Sequence, residues 1–586
     1  MSAFESLFKK PAIPSSNTKK RKLEPPIESP NDRYKANRVE LNGKGGKARN
    51  AAVEDAPDDD VDMDTNEDFT AEADEDLEDE EGGRFFGGGI TQREKEILDF
   101  MEDEEDQGPE KIDLPYLRKL ALNFEKKISR NAEMRAKFED DPSKFMESEA
   151  ELDVEVKNLA ILAEHPELYE EFANMGCLGS LVGLLSHENT DIAIAVVQII
   201  GELTDDEVEA DPEQWNVLVN TMIDAQLLDM LTQNLERLKE DNDEDRNGIY
   251  HTLSVFENLA SNQAVSERVV KETKVLGWLL ERIKVKESPV SQNKQYAAEI
   301  LSILVQSSAQ NRKRLVEIDG VDVLLQLLSP YRKRDPTKGG EEEELFENMF
   351  DALICLVDEK EGKEKLVEAE GVELCLIMIR EGKMSKGRAL RLVDHACSGL
   401  YGGVVCEQLV EAQGLKTLFG SFMKKQDAQV TEHLLGIFAS LLRNLPADSA
   451  PRIRTLAKFV EKDYEKLVKI MSLRDDYSRR VSAVDRQVAA ERQQATEEEI
   501  EEREDEWDLR RLDAGLFCFQ ILDQVVSWLV AEDDGARKRA TELLERSNKS
   551  LEDVKATLVE QLDGLDESTE EGKGTKEMLT ALVSCL

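Results

Sequence analysis

Leu315–Leu328 reads LVEIDGVDVLLQLL, Leu366–Ile379 reads LVEAEGVELCLIMI, and Leu409–Phe422 reads LVEAQGLKTLFGSF. A weaker form, FANMGCLGSLVGLL, spans Phe172–Leu185. Each phrase is the end of one helix, a glycine turn and the start of an apolar helix. One such unit cannot bury its apolar face alone, whereas stacked copies bury a continuous core. The repetition therefore predicts an all-α solenoid. Solenoids expose long grooves rather than closed pockets, so the expected work is binding other macromolecules.

The period narrows the class. The turn glycines are Gly176, Gly320, Gly371 and Gly414, and two further units fit with Gln226 and Lys274 at the turn. The steps are then 50, 48, 46, 51 and 43 residues. Allowing for expanded loops, this overlaps the armadillo and HEAT range of about 40–47 residues. Glycine suits a backbone that leaves a helix in the left-handed conformation. Lys274 would be strained there, so its unit is expected to turn differently.

Composition agrees with long helices. The 586 residues are 40% hydrophobic but only 5% aromatic, which fits Leu-, Val-, Ala- and Glu-rich helices better than a β-sandwich. The opening MSAFESLFKKPAIPSS has no sustained apolar run, so a secretory leader is not expected. The apolar stretch Ala193–Ile200 is far short of the ~20 residues a bilayer span needs. Seven scattered cysteines, none in a CxxC, suit reduced thiols buried as small hydrophobes in a nuclear or cytosolic protein.

Charge divides the chain. Residues 1–53 carry 12 basic and 5 acidic side chains, net +7, and residues 54–106 carry 3 basic and 25 acidic, net −22. Of the total of −49, the remainder of the chain contributes −34. A body this acidic repels a phosphate backbone, which argues against direct nucleic-acid binding and for basic protein segments as ligands.

The domains expected are a disordered tail over 1–91, capping helices over 92–166, armadillo-type repeats over 167–450 and a C-terminal helical region with its cap over 451–586. In the tail, Lys19, Lys20, Arg21 and Lys22 read as a monopartite nuclear localisation signal, the kind importin-α takes; a solvated charge run is the alternative. Glu54–Glu81 holds 17 acidic residues and no Lys or Arg. It reads as a binder of basic proteins, a shield for the basic tail, or a solvated spacer. Thr91–Glu94 reads as a capping box, Asp113–Phe138 as an amphipathic helix, and Glu149–His165 as the next helix, ended by Pro166. Beyond Pro451, Arg452–Ser472 and Asp475–Glu506 read as charged helices ending in an exposed helical hairpin with coiled-coil character. Leu509–Ala531 then returns to core density.

Catalytic and cofactor motifs are missing from this reading. There is no GxxxxGK[ST], and the glycines near Phe85–Gly89 follow no strand. Asp241, Asp243 and Asp245 begin like a calcium loop, but Arg246 stands where glycine is required. His395, Cys397 and Cys406 lie close in sequence without an evident fourth ligand, and core packing is the reading preferred over zinc. No enzyme activity, metal or cofactor is expected.

In an armadillo array the helix after each turn glycine is expected to line the concave face, with its leucines at +4, +5 and +8 from that glycine, as in Leu324, Leu325 and Leu328, pointing inward. Positions +3, +7 and +10 would face the groove. These are Asp229, Gln233 and Glu236 in the second unit and include Glu281 in the third. Their spacing puts them on one helix face, where they could hold a Lys/Arg-rich peptide or simply be solvated.

Several phrases that are not repeat consensus resemble the β-catenin-like protein 1 family of nuclear armadillo-type proteins. They are KFMESEAELD (Lys144–Asp153), LLSHENTDIAIAVV (Leu184–Val197), KRLVEIDGVDVLLQLLS (Lys313–Ser329), LVDHA (Leu392–Ala396), ASLLRNL (Ala439–Leu445) and LRRLDAGLF (Leu509–Phe517). They are collinear over about residues 92–560. The resemblance implies a non-catalytic component of the spliceosome-activating nineteen complex. It also implies binding to localisation-signal-like segments of partners, notably that complex's Myb-type splicing factor. Lys19–Lys22 matches the family's habit of a basic N-terminal signal. A homodimer is compatible with this reading. The alternatives are a karyopherin-like adaptor, weakened by the missing Trp–Asn pairs, and an acidic histone chaperone acting through Glu54–Glu81.

Overall fold

The computed structural model describes residues 112–565 and 568–586. The tail, Lys19–Lys22, Glu54–Glu81 and the Thr91 capping box lie outside the described residues. Helix α1 (Leu114–Lys137) starts where Asp113 accepts a hydrogen bond from the Tyr116 amide at 3.1 Å, and it buries Leu117, Leu120 and Phe124. Helix α2 (Met146–Asn158) continues as a 3-10 turn to Glu164, and the chain breaks before Pro166.

Six three-helix units follow. The first is α3 (Tyr169–Asn174), α4 (Cys177–Gly183) and α5 (Thr190–Thr204), and the second is α6 (Pro212–Asp224), α7 (Leu227–Arg237) and α8 (Asp243–Ala260). The third is α9 (Gln263–Glu272), α10 (Val275–Lys284) and α11 (Gln292–Gln306), and the fourth is α12 (Ala309–Glu317), α13 (Gly320–Leu328) and α14 (Glu341–Leu356). The fifth is α15 (Lys360–Glu368), α16 (Gly371–Glu381) and α17 (Met384–Cys397), and the sixth is α18 (Gly403–Glu411), α19 (Gly414–Phe422) and α20 (Ala428–Asn444). Among the described residues every regular element is helical. The repeated leucines form the core: Leu324, Leu325 and Leu328 are buried, as are Leu315, Leu366 and Leu409 of the recurring LVE phrase. Burying each such side chain is worth about 1.5–3 kcal/mol, and this offsets the entropy of ordering the unit.

The turns correct one expectation. Gly176 is left-handed, with φ of 80°. In the units of Gly320, Gly371 and Gly414, however, the preceding residue takes that conformation: Asp319, Glu370 and Gln413 have φ of 61°, 55° and 61°. Each of these three glycines begins the next helix. A Cβ on Gly320 would sit 2.6 Å from Leu315 Cγ, and one on Gly371 would sit 2.5 Å from Leu366 Cδ1. A Cβ on Gly414 would be 2.7 Å from the Leu409 carbonyl oxygen. The LVE leucine thus folds back onto the glycine, and close approach rather than left-handedness demands it. The left-handed residue beside it carries a strain of about 1–2 kcal/mol. Gln226 does take the turn position, with φ of 71°. Lys274 does not, its φ being −100°; Thr273 makes that turn by accepting from the Val275 amide at 3.1 Å.

The C-terminal region contains α21 (Ala450–Arg492, interrupted at Glu461–Tyr464), α22 (Glu497–Asp513), α23 (Leu516–Glu532), α24 (Asp534–Arg546), α25 (Leu551–Asp563) and α26 (Glu570–Cys585). The end of α21 and α22 form the expected hairpin, but it is not simply a solvated one. Trp507 is fully buried, with Arg492 and Arg503 at 5.1 and 5.2 Å from its ring and its Nε1 donating to Glu491 at 2.9 Å. Deeper in, Arg474 and Asp523 form a sealed ion pair, with Nη2 donating to Oδ2 at 3.0 Å.

Six of the seven cysteines are buried thiols and Cys585 is exposed. Among the described residues no group of His, Cys, Asp and Glu is arranged to hold a metal, and no single helix is long and apolar enough to cross a membrane.

Candidate peptide-binding ladder

The third helix of each unit packs directly on the third helix of the next, so that α5, α8, α11, α14, α17 and α20 form one continuous ladder. The helices that follow the turns touch their successors only sparingly. Where stacked units curve, elements on the inner side crowd together and those outside splay apart, which marks the third helices as the inner wall. This corrects the groove's placement. Asp229, Gln233 and Glu236 on α7 and Glu281 on α10 are solvent-exposed, but they sit on the second layer of helices rather than on the ladder. Glu281 is ion-paired with Lys284 at 2.7 Å. Trp278, beside it, donates to the Leu235 carbonyl at 3.2 Å and serves packing between units.

Local sequence sets the ladder. Asn189, Asn242, Ser291 and Asp427 cap α5, α8, α11 and α20 through their side chains. Behind the caps the helices are apolar nearly all round, because each lies between two neighbours and over its own unit's second helix. Only a narrow stripe at i, i+3 and i+4 spacing reaches solvent. On α5 it carries Asp191, Gln198 and Glu202; on α8 His251, Ser254 and Glu257; on α11 Gln292 and Glu299; on α14 Glu347. No Lys or Arg lies at the accessible positions of α5, α11 or α14.

The carboxylates sit in different electrostatic settings. Burial, and then the Asp205 charge, raise the Glu202 pKa, and among the described residues no cation pairs with it. Glu257 accepts from the Tyr296 hydroxyl, and Glu299 accepts from Gln295 Nε2 at 2.9 Å. His251 lies 3.0 Å from Gln198 Nε2, and burial pushes its pKa down to about 4, so the ring is neutral and accepts the amide proton. At the next rung the sign reverses. Arg388 of α17 reaches Glu347 at 2.6 Å and Asp351 at 3.3 Å, and Arg391 reaches Asp351 at 3.2 Å. Burial raises the Asp351 pKa, against which Arg388 and then Arg391 act. Beyond them His433 lies 3.0 Å from Asp394. Between α14 and α17 the protein thus supplies its own guanidinium groups to ladder carboxylates, while Glu257 and Glu299 receive neutral donors.

Glu202, Glu257 and Glu299 escaped the sequence reading, which followed the leucine-rich helix after each turn. Their signal was present as the lone acidic residue in each of IAIAVVQIIGEL, YHTLSVFENLA and YAAEILSILV. A helix apolar nearly all round reads as buried, and its thin polar stripe is easily passed over.

A model of the family described as catenin-beta-like, Arm-motif containing nuclear, matches residues 95–559. The chain is 37% identical over 497 residues to the β-catenin-like protein 1 homolog of Schizosaccharomyces pombe, covering 84% of this chain and 87% of that protein. It is 36% identical over 468 residues to β-catenin-like protein 1 of Homo sapiens, covering 78% and 82% respectively. Among solved structures, a designed armadillo repeat protein is 15% identical with a TM-score of 0.34, covering 45% of this chain and 99% of its own.

Proposed function

Because the chain belongs to the catenin-β-like family of Arm-motif-containing nuclear proteins, we propose that it is a non-catalytic scaffold that holds Lys/Arg-rich segments of partner proteins along the α5–α14 ladder. The observation that carries the reading is the α14–α17 step, where ladder carboxylates already hold guanidinium groups. A partner's basic residues would make the same charge-assisted hydrogen bonds with Glu202, Glu257 and Glu299. Glu202, solvent-exposed beside Asp205, has no cation partner among the described residues and is open to one. Asp229, Glu236 and Glu281 form a second, more solvated acidic face that would steer a basic ligand at long range.

The setting that fits is the nucleus, reached through Lys19, Lys20, Arg21 and Lys22 and importin-α. There the protein would serve in pre-mRNA splicing within the nineteen complex, with the Myb-type splicing factor as the basic partner. Affinity purification of the tagged protein from nuclease-treated nuclear extract, read by mass spectrometry, tests this. Recovery of that factor and its nineteen-complex neighbours is expected. Recovery of histones dependent on Glu54–Glu81, or of transport receptors alone, would overturn the splicing assignment.

A further inference from the structure

A second site of the opposite charge preference lies at the other end of the repeats. The end of α20 meets α23 and α26 around a cavity of about 360 Å³ whose walls include Leu400, Trp528, Met578 and Leu582. A neighbouring cavity of about 290 Å³ shares Arg443, Asn444 and Trp528 with it and is also lined by Pro446, Ala447, Arg452 and Glu532. Leu400, Tyr401 and Val404 continue the apolar rim, with 51%, 53% and 40% of their surfaces exposed. Arg443 therefore stands between an apolar hollow and a mixed one, whose wall also carries the Arg452–Glu532 ion pair.

Its pairing is unlike that of three other arginines of the C-terminal region, of which Arg452 and Arg474 are fully buried. Arg452 is held by Glu532, Arg474 by Asp523, and Arg511 by Asp485 and Glu560. Arg443 has no carboxylate within ion-pair distance among the described residues. Its Nη2 donates to the Thr575 hydroxyl at 3.0 Å, and among the same residues its Nε and Nη1 have no acceptor. Gly574 borders the place: a Cβ there would lie 3.7 Å from Leu400 Cδ2 and 3.9 Å from Arg443 Nη2, ordinary contact distances. Burial lowers the Arg443 pKa, with Glu571 acting against it, so the cation is partly stripped of water without a full counter-charge.

A guanidinium fork with free donors on an apolar floor matches a carboxylate in planar, two-point geometry. The apolar hollow on one side, and the Leu442, Leu445 and Trp528 part of the mixed hollow on the other, match apolar side chains flanking that carboxylate. We propose that this site docks a short segment of a partner protein in which one Asp or Glu is flanked by bulky apolar residues. The carboxylate accepts from Arg443 while the flanking side chains fill the two cavities beside Trp528. The ladder and this site would then take segments of opposite charge, and a single partner protein could engage both.

The test uses the full-length protein and an array of 12-residue peptides. Each carries one Asp or Glu with Leu, Phe or Met one to four residues away on either side, beside counterparts with Asn or Gln in place of the acid. Binding of acidic members is expected, at least tenfold weaker for the Asn or Gln counterparts and for Arg443→Met, and unchanged by Glu202→Lys, Glu257→Lys and Glu299→Lys together. Arg443→Lys, which keeps the charge and loses the fork, should fall between. If Arg443→Met fails to fold, the acid-to-amide comparison on the wild-type protein and Arg443→Lys decide. No binding by any acidic member, or equal binding of acid and amide peptides, overturns the proposal. So does binding that Arg443→Met and Arg443→Lys, both folded, leave unchanged.

Discussion

Reversing three ladder charges should weaken basic-peptide binding about a hundredfold, whereas reversing three charges on the neighbouring layer should weaken it only a few-fold. The ladder variant is Glu202→Lys, Glu257→Lys and Glu299→Lys; the comparison variant is Asp229→Lys, Glu236→Lys and Glu281→Lys. The two change net charge equally, so any difference reflects position. On the ladder Glu257 and Glu299 are half-buried, and Glu202, though exposed, pairs with no cation among the described residues. Removing the charge-assisted hydrogen bond at each of the three costs about 1 kcal/mol. Three together cost about 3 kcal/mol, roughly a hundredfold in Kd. The comparison residues are exposed, and Glu281 is already paired with Lys284. At ionic strengths near 0.1 M, where the Debye length is about 10 Å, their reversal should change Kd only a few-fold. Fluorescence anisotropy of a labelled alternating Lys/Arg peptide, with helicity checked by circular dichroism, measures both. A hundredfold loss in the comparison variant with none in the ladder variant would refute the inner-wall assignment. Equal small losses in both would refute specific basic-peptide recognition.

Other consequences are as direct. Gly371→Ala should destabilise by about 1–3 kcal/mol, because its Cβ runs into Leu366; Gly277→Ala, with nothing within 4 Å, should stabilise by up to about 1 kcal/mol. Urea midpoints by circular dichroism check the opposite signs. Asp523→Asn, which strands the buried Arg474, should cost about 3–5 kcal/mol, and the double variant Arg474→Met, Asp523→Leu less than that; calorimetric Tm values rank them. His251 has a folded pKa near 4, below the usual unfolded 6.5, so the unfolded chain binds its proton first as pH falls. Its contribution is complete above pH 6.5 and is lost from there down to about 4, a loss of about 2 kcal/mol between pH 7.5 and 5. His251→Gln should flatten that part of the stability–pH curve, as urea unfolding at the two pH values will show.

Helix content, the unit length and the boundary at Asp113 were legible because they depend on neighbours in the chain. The LVE phrases mark their turns through leucines and glycines a few residues apart, and Lys274 announced its departure by being a poor left-handed residue. The buried role of Trp507 was not legible: AERQQATEEEIEEREDEWDLRR is charged enough to read as solvated, and only the return of α22 against α21 brings Arg492, Arg503 and Glu491 around the indole.

The sequence by itself determined that this chain is an all-helical stack of repeats with a strongly acidic body, because periodicity and net charge are properties of the linear order. Only the tertiary structure decided which helix forms the inner wall, and hence that Glu202, Glu257 and Glu299 line it while Asp229, Glu236 and Glu281 do not. It also decided that glycine serves close packing at three of the turns, and that among the described residues no carboxylate ion-pairs with Arg443. Each of these depends on distances between residues tens of positions apart, which are set when one unit stacks on the next.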